Sequence, residues 1–451
     1  MKKSTVAVAV ALGLLAQQAS AEGFIEDSKA TLKLRNFYIN TDNRDAGTKA
    51  AGAQSKQEEW GQGFQVDYTS GFTAGTVGFG LDAIALLGVR LDSGGGTNGA
   101  TSTSYGGTVF PSKSNGKAVN DFSSLGVTAK AKFSQTELRY GTLMPKLPVI
   151  SYNDGRLLPQ TFEGGQVTSN EIKDLTLIAG QIEHVKGRNS SNNEQMSIGG
   201  ANARTANSNK FVYAGGDYKI NKDLLVQYYY GNLDKFYKQN FLGLVHNWAI
   251  GPGVLKSDLR YFNSKNDGKN GYDPLYFSNG NYANSVSKNG KGEVDNNLYS
   301  ALFLYSVEGH TFGGGYQVSN GSSDFPWLNQ GDGSSNYTIT DSQIQKFGRA
   351  GERTWQARYS YDFAKVGVPG LTAGAVYLRG NNIDTYNASK VQTNDGATEW
   401  ERDITVAYVV QEGALKNLGF MWKNAMWRNT IAGQRNQDEN RVIVSYSIPL
   451  L

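Results

Sequence analysis

Across most of its length the chain alternates apolar and polar side chains with a period of two, in stretches of about 8 to 12 residues. In the last such stretch Val442, Val444, Tyr446, Ile448 and Leu450 fall on one side, and Arg441, Ile443, Ser445 and Ser447 on the other. Alternate residues of a strand point to opposite faces of its sheet. Trp355, Ala357, Tyr359, Tyr361 and Phe363 likewise alternate with Thr354, Gln356, Arg358, Ser360 and Asp362. Leu125, Val127, Ala129, Ala131 and Phe133 alternate with Thr128, Lys130 and Lys132; Leu255, Ser257, Leu259 and Tyr261 with Lys256, Asp258 and Arg260. Every such strand needs one apolar and one wet side. A soluble sandwich and a barrel in a membrane both meet that need.

Two features favour the barrel. Short turns such as Ser134-Gln135 and Asn221-Lys222 are interleaved with long polar loops near 89–119, 185–208, 264–293, 319–350 and 380–398, the asymmetry of outer-membrane barrels. Aromatic residues also gather toward strand ends, at Trp60, Tyr68, Tyr140, Trp248, Trp355 and Trp400, where an interfacial girdle needs them. The alternating segments lie near 30–40, 57–69, 72–88, 121–133, 135–142, 161–169, 173–184, 209–220, 223–233, 237–249, 254–263, 296–308, 311–318, 352–364, 369–379, 400–410, 416–428 and 439–450. The expected fold is therefore an all-β, 18-stranded antiparallel transmembrane β-barrel around an aqueous lumen.

The amino terminus fits export. Lys2 and Lys3, the apolar run Val6 to Ala16, and Ala19-Ser20-Ala21 before Glu22 form a secretory signal peptide. Residues 1–21 are expected to be removed, leaving 22–451 as one barrel domain. Beyond the leader no run reaches the roughly 18 apolar residues of a membrane helix. The chain holds 55 Gly, 25 Tyr and 20 Phe at a mean hydropathy of −0.45; that aromatic content argues against disorder. With no Cys, stability has to come from hydrogen-bonded closure instead of disulfides. Leaving out the two leader lysines, 42 basic residues face 40 acidic ones, a balance that makes nucleic acid an unsuitable partner.

Assigning each apolar set to lipid sends the other set inward, and that set is basic: Lys33, Arg35, Lys130, Lys132, Arg139, Arg260, Arg358, Lys423 and Arg441. Many acids fall in loops. The row reads either as a wet wall partly neutralised by neighbours such as Glu137 or Asp258, or as a cationic ladder for carboxylates, whose geometry the guanidinium fork matches. Closure brings Lys33 and Arg35 on the first strand beside Arg441 on the last. Residues 141–162 carry three prolines together with Leu143, Met144, Leu147, Val149, Ile150, Leu157 and Leu158, too apolar for a solvated loop. This loop 3 is expected to fold into the barrel, where Arg156 either projects into the narrowest section or tethers the loop to the wall.

Several segments resemble the OprD porins of pseudomonads, also called Occ channels: Gly23-Phe-Ile-Glu-Asp-Ser28, Leu34-Arg-Asn-Phe37, Thr76-Val-Gly-Phe-Gly80 with Leu86-Leu-Gly88, Gly126 to Lys132, Gly155-Arg-Leu-Leu-Pro-Gln-Thr-Phe162, Trp355-Gln-Ala-Arg-Tyr359 and Gly367-Val-Pro-Gly-Leu371. They span nearly the whole exported chain, in order. The resemblance implies an 18-stranded, mainly monomeric barrel constricted by loop 3 and the loop near 319–350, with basic residues guiding carboxylates. Arg156 then resembles the constriction arginine, Arg441 the ladder residue of the last strand, and Lys423 a lysine where relatives have arginine. Lys346 stands where relatives that take basic amino acids have an acid, Ala407 replaces a lumenal lysine, and Val376 a lumenal arginine. The resemblance is thus stronger to the branch taking cyclic and aromatic carboxylates, benzoate-like ones above all.

Alternative readings are a channel for basic amino acids and small peptides, or a general diffusion porin. An enzyme finds little support, since His184, His246 and His310 are the only histidines that could serve as a base, and each sits at a strand end or on the lipid-facing parity. No cofactor is called for, and with no Cys and no closely spaced His pair, no metal. The glycines at 94–96 precede no helix pattern and make no phosphate cradle. The expected partners are small carboxylates and, around the barrel, outer-membrane lipid and lipopolysaccharide.

Overall fold

The computed structural model describes residues 23–44, 55–93, 97–98, 107–198, 207–268, 294–329, 335–386, 392–431 and 434–451. The leader read at residues 1–21 lies outside the described residues, as do parts of the long loops. Eighteen strands form one closed antiparallel barrel: β1 (Lys29–Asn43), β2 (Lys56–Thr69), β3 (Val77–Asp92), β4 (Asp121–Phe133), β5 (Thr136–Leu143), β6 (Thr161–Ile172), β7 (Leu175–Lys186), β8 (Phe211–Lys219), β9 (Leu224–Leu233), β10 (Tyr237–Ile250), β11 (Gly253–Asn266), β12 (Asp295–Val307), β13 (His310–Gly321), β14 (Arg353–Asp362), β15 (Leu371–Tyr386), β16 (Gln392–Val409), β17 (Gly419–Asn429) and β18 (Gln437–Pro449). Closure pairs β1 with β18 from Thr31↔Pro449 to Asn43↔Gln437. Closure gives both edge strands a ladder partner, which an open sheet in lipid could not provide.

The two faces separate as the alternation demands. Leu125 and Phe133 on β4 are 73% and 57% exposed to the surroundings of the barrel, whereas the lumenal Thr128 and Lys130 are each 5% exposed. Where boundaries differ from the sequence reading, local hydrogen bonds account for it. The third strand starts at Val77 and not near 72, because Gly71 N–H donates to the Phe24 carbonyl and the Ser70 hydroxyl accepts from Leu81 N–H, turning 70–76 against the amino-terminal segment. The β15–β16 hairpin runs past the expected 379 and starts before 400, with register shifts between Gly380 and Tyr386.

The lumen is less uniformly aqueous than expected. Leu143, Leu147, Val149 and Ile150 of loop 3 pack against Phe162, Phe211, Tyr213, Phe241 and Phe262 of the wall and against Phe325 and Trp327 from the loop joining β13 to β14. Opposite, Leu157 and Leu158 join Phe37, Ile39, Ile84 and Leu86 together with Val109 and Phe110 of the loop after β3. Gly61 and Gly63 on β2 make room for this: a Cβ at Gly61 would lie 2.8 Å from Leu157 Cδ2, and one at Gly63 3.0 Å from the Leu157 carbonyl oxygen. The barrel thus carries its apolar core inside, made by inward loops, as expected of loop 3.

Candidate functional site

An inward loop brings backbone N–H and C=O groups into the lumen, and each needs a partner. The wall supplies them in kind. Arg35 on β1 grips Asp154 with both guanidinium nitrogens, at 2.6 and 3.0 Å, and donates to the Arg156 carbonyl at 2.8 Å. Arg441 on β18 donates to the Gln343 carbonyl at 2.8 Å and the Gly155 carbonyl at 3.5 Å, so it joins loop 3 to the loop between β13 and β14, here loop 7. Arg260 donates to the Tyr337 carbonyl at 2.8 Å and Arg358 to the Ile339 carbonyl at 2.6 Å. Carboxylates hold the N–H groups. Glu401 accepts from Ile344 and Gln345, both at 2.8 Å, and Asp403 from Gln343 at 3.3 Å. Glu59 accepts from Thr108, Val109 and Phe110 of the loop after β3.

The expected contact of Lys33 and Arg35 with Arg441 is indirect. Across the closure Arg35 faces Ser445 and Arg441 faces Ile39, four residues further along β1, and the backbone of residues 154–156 links the two arginines. Lys423 does lie directly across from Arg441. Arg156 takes the tethering geometry: Nε donates to the Thr108 hydroxyl at 2.9 Å, Nη2 stands 3.8 Å from Glu439, and the side chain is largely covered. It closes the joint between loop 3, the loop after β3 and the last strand.

Most of the basic row is paired, and the acids are on the wall as well as in loops. Lys33 meets Asp67 at 2.7 Å, Lys130 meets Asp82 at 2.7 Å, Arg260 meets Asp258 at 2.7 Å and Arg441 meets Glu439 at 2.6 Å. Arg139 pairs with Glu137 and stands 3.5 Å from Asp82. Lys346 meets Asp341 at 3.0 Å and lies over the Trp327 ring, so its charge is compensated within loop 7. Lys130 is buried, donating to the Ser70 carbonyl at 2.8 Å; it fixes a periplasmic turn. Among the described residues, Lys132, Arg358 and Lys423 form no ion pair within 4 Å. Lys132 is exposed, with its ammonium 5.7 Å from the Phe72 ring centre.

On the periplasmic side of loop 3 a cavity of about 710 Å³ is lined by Lys33, Lys132 and Arg139, by Asp67 and Glu137, and by Met144 of the loop. The residues that sequence reasoning missed are the loop-holding carboxylates. Glu399, Glu401 and Asp403 alternate with Trp400 and Arg402, a parity legible in principle, but Glu399 falls just outside the strand as read from sequence. Glu399 meets Arg349 of loop 7 at 3.0 Å with both side chains buried. His184 sits 3.2 Å from Glu163, His246 against Trp248 on the outer face, and His310 among Phe312, Tyr359 and Tyr361.

A closed barrel narrowed by inward loops with a polar wall defines an outer-membrane porin, a channel and not an enzyme. The chain belongs to the OprD family: the family described as outer membrane porin, OprD family, matches residues 22–450. It is 37% identical over 448 residues to the porin-like protein GalP of Pseudomonas putida, covering 99% of this chain and 97% of that protein. Its structure superposes on Pseudomonas aeruginosa OccK8 (OprE) with a TM-score of 0.83 at 61% identity, covering 95% of this chain and all of the other. It also superposes on Pseudomonas aeruginosa OpdK with vanillate, with a TM-score of 0.80 at 34% identity and the same coverage. The protein is a small-solute channel of the bacterial outer membrane.

Proposed function

We propose that residues 22–451, after loss of the leader 1–21, form a monomeric passive channel selective for small monoanionic carboxylates, cyclic or aromatic ones foremost. The observation that carries this reading is the cavity below loop 3. Lys33, Lys132 and Arg139 offer a carboxylate charge-assisted hydrogen bonds in exchange for hydration, and Leu143, Met144 and Pro145 line the same space with apolar surface for a ring. The solved relative with vanillate, an aromatic carboxylate, supports the same class. In this reading Arg35, Lys130, Arg156, Arg260, Arg358, Arg441 and Lys346 shape the passage by holding loops and turns, while Lys423 presents charge beside Arg441.

A second reading, a channel for basic amino acids, has its own observation: Asp67, Asp82 and Glu137 line the same cavity. Liposome uptake separates the two. With the purified barrel in the bilayer, labelled benzoate is expected to enter faster than labelled arginine. Faster arginine entry would overturn the carboxylate reading.

A further inference from the structure

The outer face of β14–β17 carries a row that the channel function does not use. Trp355, Arg379, Trp400 and Arg428 are successive cross-strand neighbours, with Arg353 two residues above Trp355. One step below the row, Arg402 pairs across from Tyr377. Rings and guanidinium groups therefore alternate around the barrel: Trp355 lies 5.3 Å from Tyr377, Tyr377 is stacked 5.9 Å from Trp400, and the Arg428 guanidinium stands 6.0 Å from the Trp400 ring centre. Below the row the same faces become apolar, with Ala357, Ala375, Ile404, Val406 and Tyr408. The row thus marks the outer interface, where aromatic rings sit at headgroup level.

The charges here are unbalanced. Asp438 is taken by Arg428 and by Arg44, each at 2.5 Å. Among the described residues Arg353, Arg379 and Arg402 form no ion pair; Arg379 donates only to Asn381 at 3.3 Å and Arg402 to Asn424. Arg353 and Arg379 are exposed. On another arc the comparable Lys265 is paired with Asp295. Three guanidinium groups without an acid partner at headgroup height, above apolar outward side chains, suit an anion carried on a lipid, because the planar fork matches phosphate bidentately and basic pockets at the membrane surface bind lipid headgroups.

We propose that Arg353, Arg379 and Arg402 bind the phosphate groups of an outer-leaflet glycolipid whose acyl chains lie on the apolar face beneath them. Native mass spectrometry of the full barrel in detergent tests this with bisphosphorylated lipid A, dephosphorylated lipid A and inorganic phosphate as separate probes. The wild type is expected to retain the bisphosphorylated lipid, and the variant R353Q/R379Q/R402Q to bind it about tenfold or more weakly, a margin in line with losing charge-assisted bonds. Lys238→Gln on β10 is expected to leave it unchanged. Equal binding by the triple variant overturns the proposal. So does equal wild-type retention of dephosphorylated lipid, or saturation by inorganic phosphate with no further gain from the lipid. Should the triple variant fail to fold, as judged by its heat-dependent gel mobility, the comparison of the two lipids on the wild type decides alone.

Discussion

At the scale of single residues, a charge that holds a loop and a charge that faces solute should respond differently to removal. Arg156 has its guanidinium between Thr108 and Glu439, whereas Lys132 is exposed in the cavity below loop 3. Arg156→Ala removes a charge-assisted hydrogen bond, worth about 1.5–3 kcal/mol, and leaves Glu439 with Arg441 and Gln343 alone. Small-ion conductance is expected to rise, with more open-state noise as the joint loosens. Lys132→Ala should leave conductance nearly unchanged and lower benzoate uptake, because one wall charge is screened over roughly 8–10 Å in physiological salt. Single-channel recording on both variants checks this. Equal conductance changes would remove the tethering role of Arg156. The sidedness of both residues was legible from parity, but the tether was not: parity says which face a side chain takes and nothing about which loop meets it there.

At the scale of elements, loop 7 is held by groups far away in sequence. Ser342 donates to Glu401 and Asp403, and Arg349 to Glu399, spans of 50 residues or more that no local pattern could signal. Near its return to β14, Glu352 is buried with its carboxylate accepting from Arg349 N–H and the Thr354 hydroxyl. Burial, and then the nearby Glu399 carboxylate, push the Glu352 carboxyl well above the usual range, against the opposing pull of Arg349. Asp324 from the other side of the loop accepts from Ala350 N–H, and Trp427 from Glu399's own side donates to Glu399. A carboxyl raised in the folded state contributes stability that is complete below its unfolded value and is lost as pH rises to the folded one. Each unit in that window costs up to about 1.4 kcal/mol. The protection of amides in residues 339–352, taken relative to their intrinsic base-catalysed exchange at each pH, is therefore expected to fall as pH rises from the unfolded Glu value, at about 4.3, and to level off above the raised one. Glu352→Gln should abolish the dependence while leaving the loop closed. A wild-type loop whose protection does not change with pH would refute the assignment.

For the whole molecule, the strands and their count were legible because lipid and water impose opposite demands on alternate residues, and eighteen such segments leave little freedom in topology. The electrostatics were legible only in part, since same-strand spacing shows an acid two residues from a base but carries no information on the acids that cross-strand register and loop docking place beside the others. Glu137 with Arg139, Asp258 with Arg260 and Glu439 with Arg441 are same-strand pairs two residues apart; the first two acids are legible as neutralising neighbours in the sequence, and Glu439 follows the same spacing. Their consequence is a channel whose lumen is charged everywhere and nearly neutral in sum, so a strong anion preference is not expected. What remains is local: Lys132 below loop 3, Lys423 across from Arg441, and Arg358, held by loop 7, have no carboxylate within ion-pair distance among the described residues. Reversal potentials in a potassium chloride gradient should accordingly show a weak anion preference, stronger at low salt, where the Debye length grows to roughly 30 Å at 0.01 M. Removing both lysines together, as Lys132→Gln with Lys423→Gln, should abolish the anion preference, because it takes away two of the three lumenal bases of the row that stand without an ion pair and leaves only Arg358, which is engaged with Gln356 and the Ile339 carbonyl. A reversal potential unmoved by the double substitution would mean that the paired bases, and not the free lysines, set the selectivity of the pore.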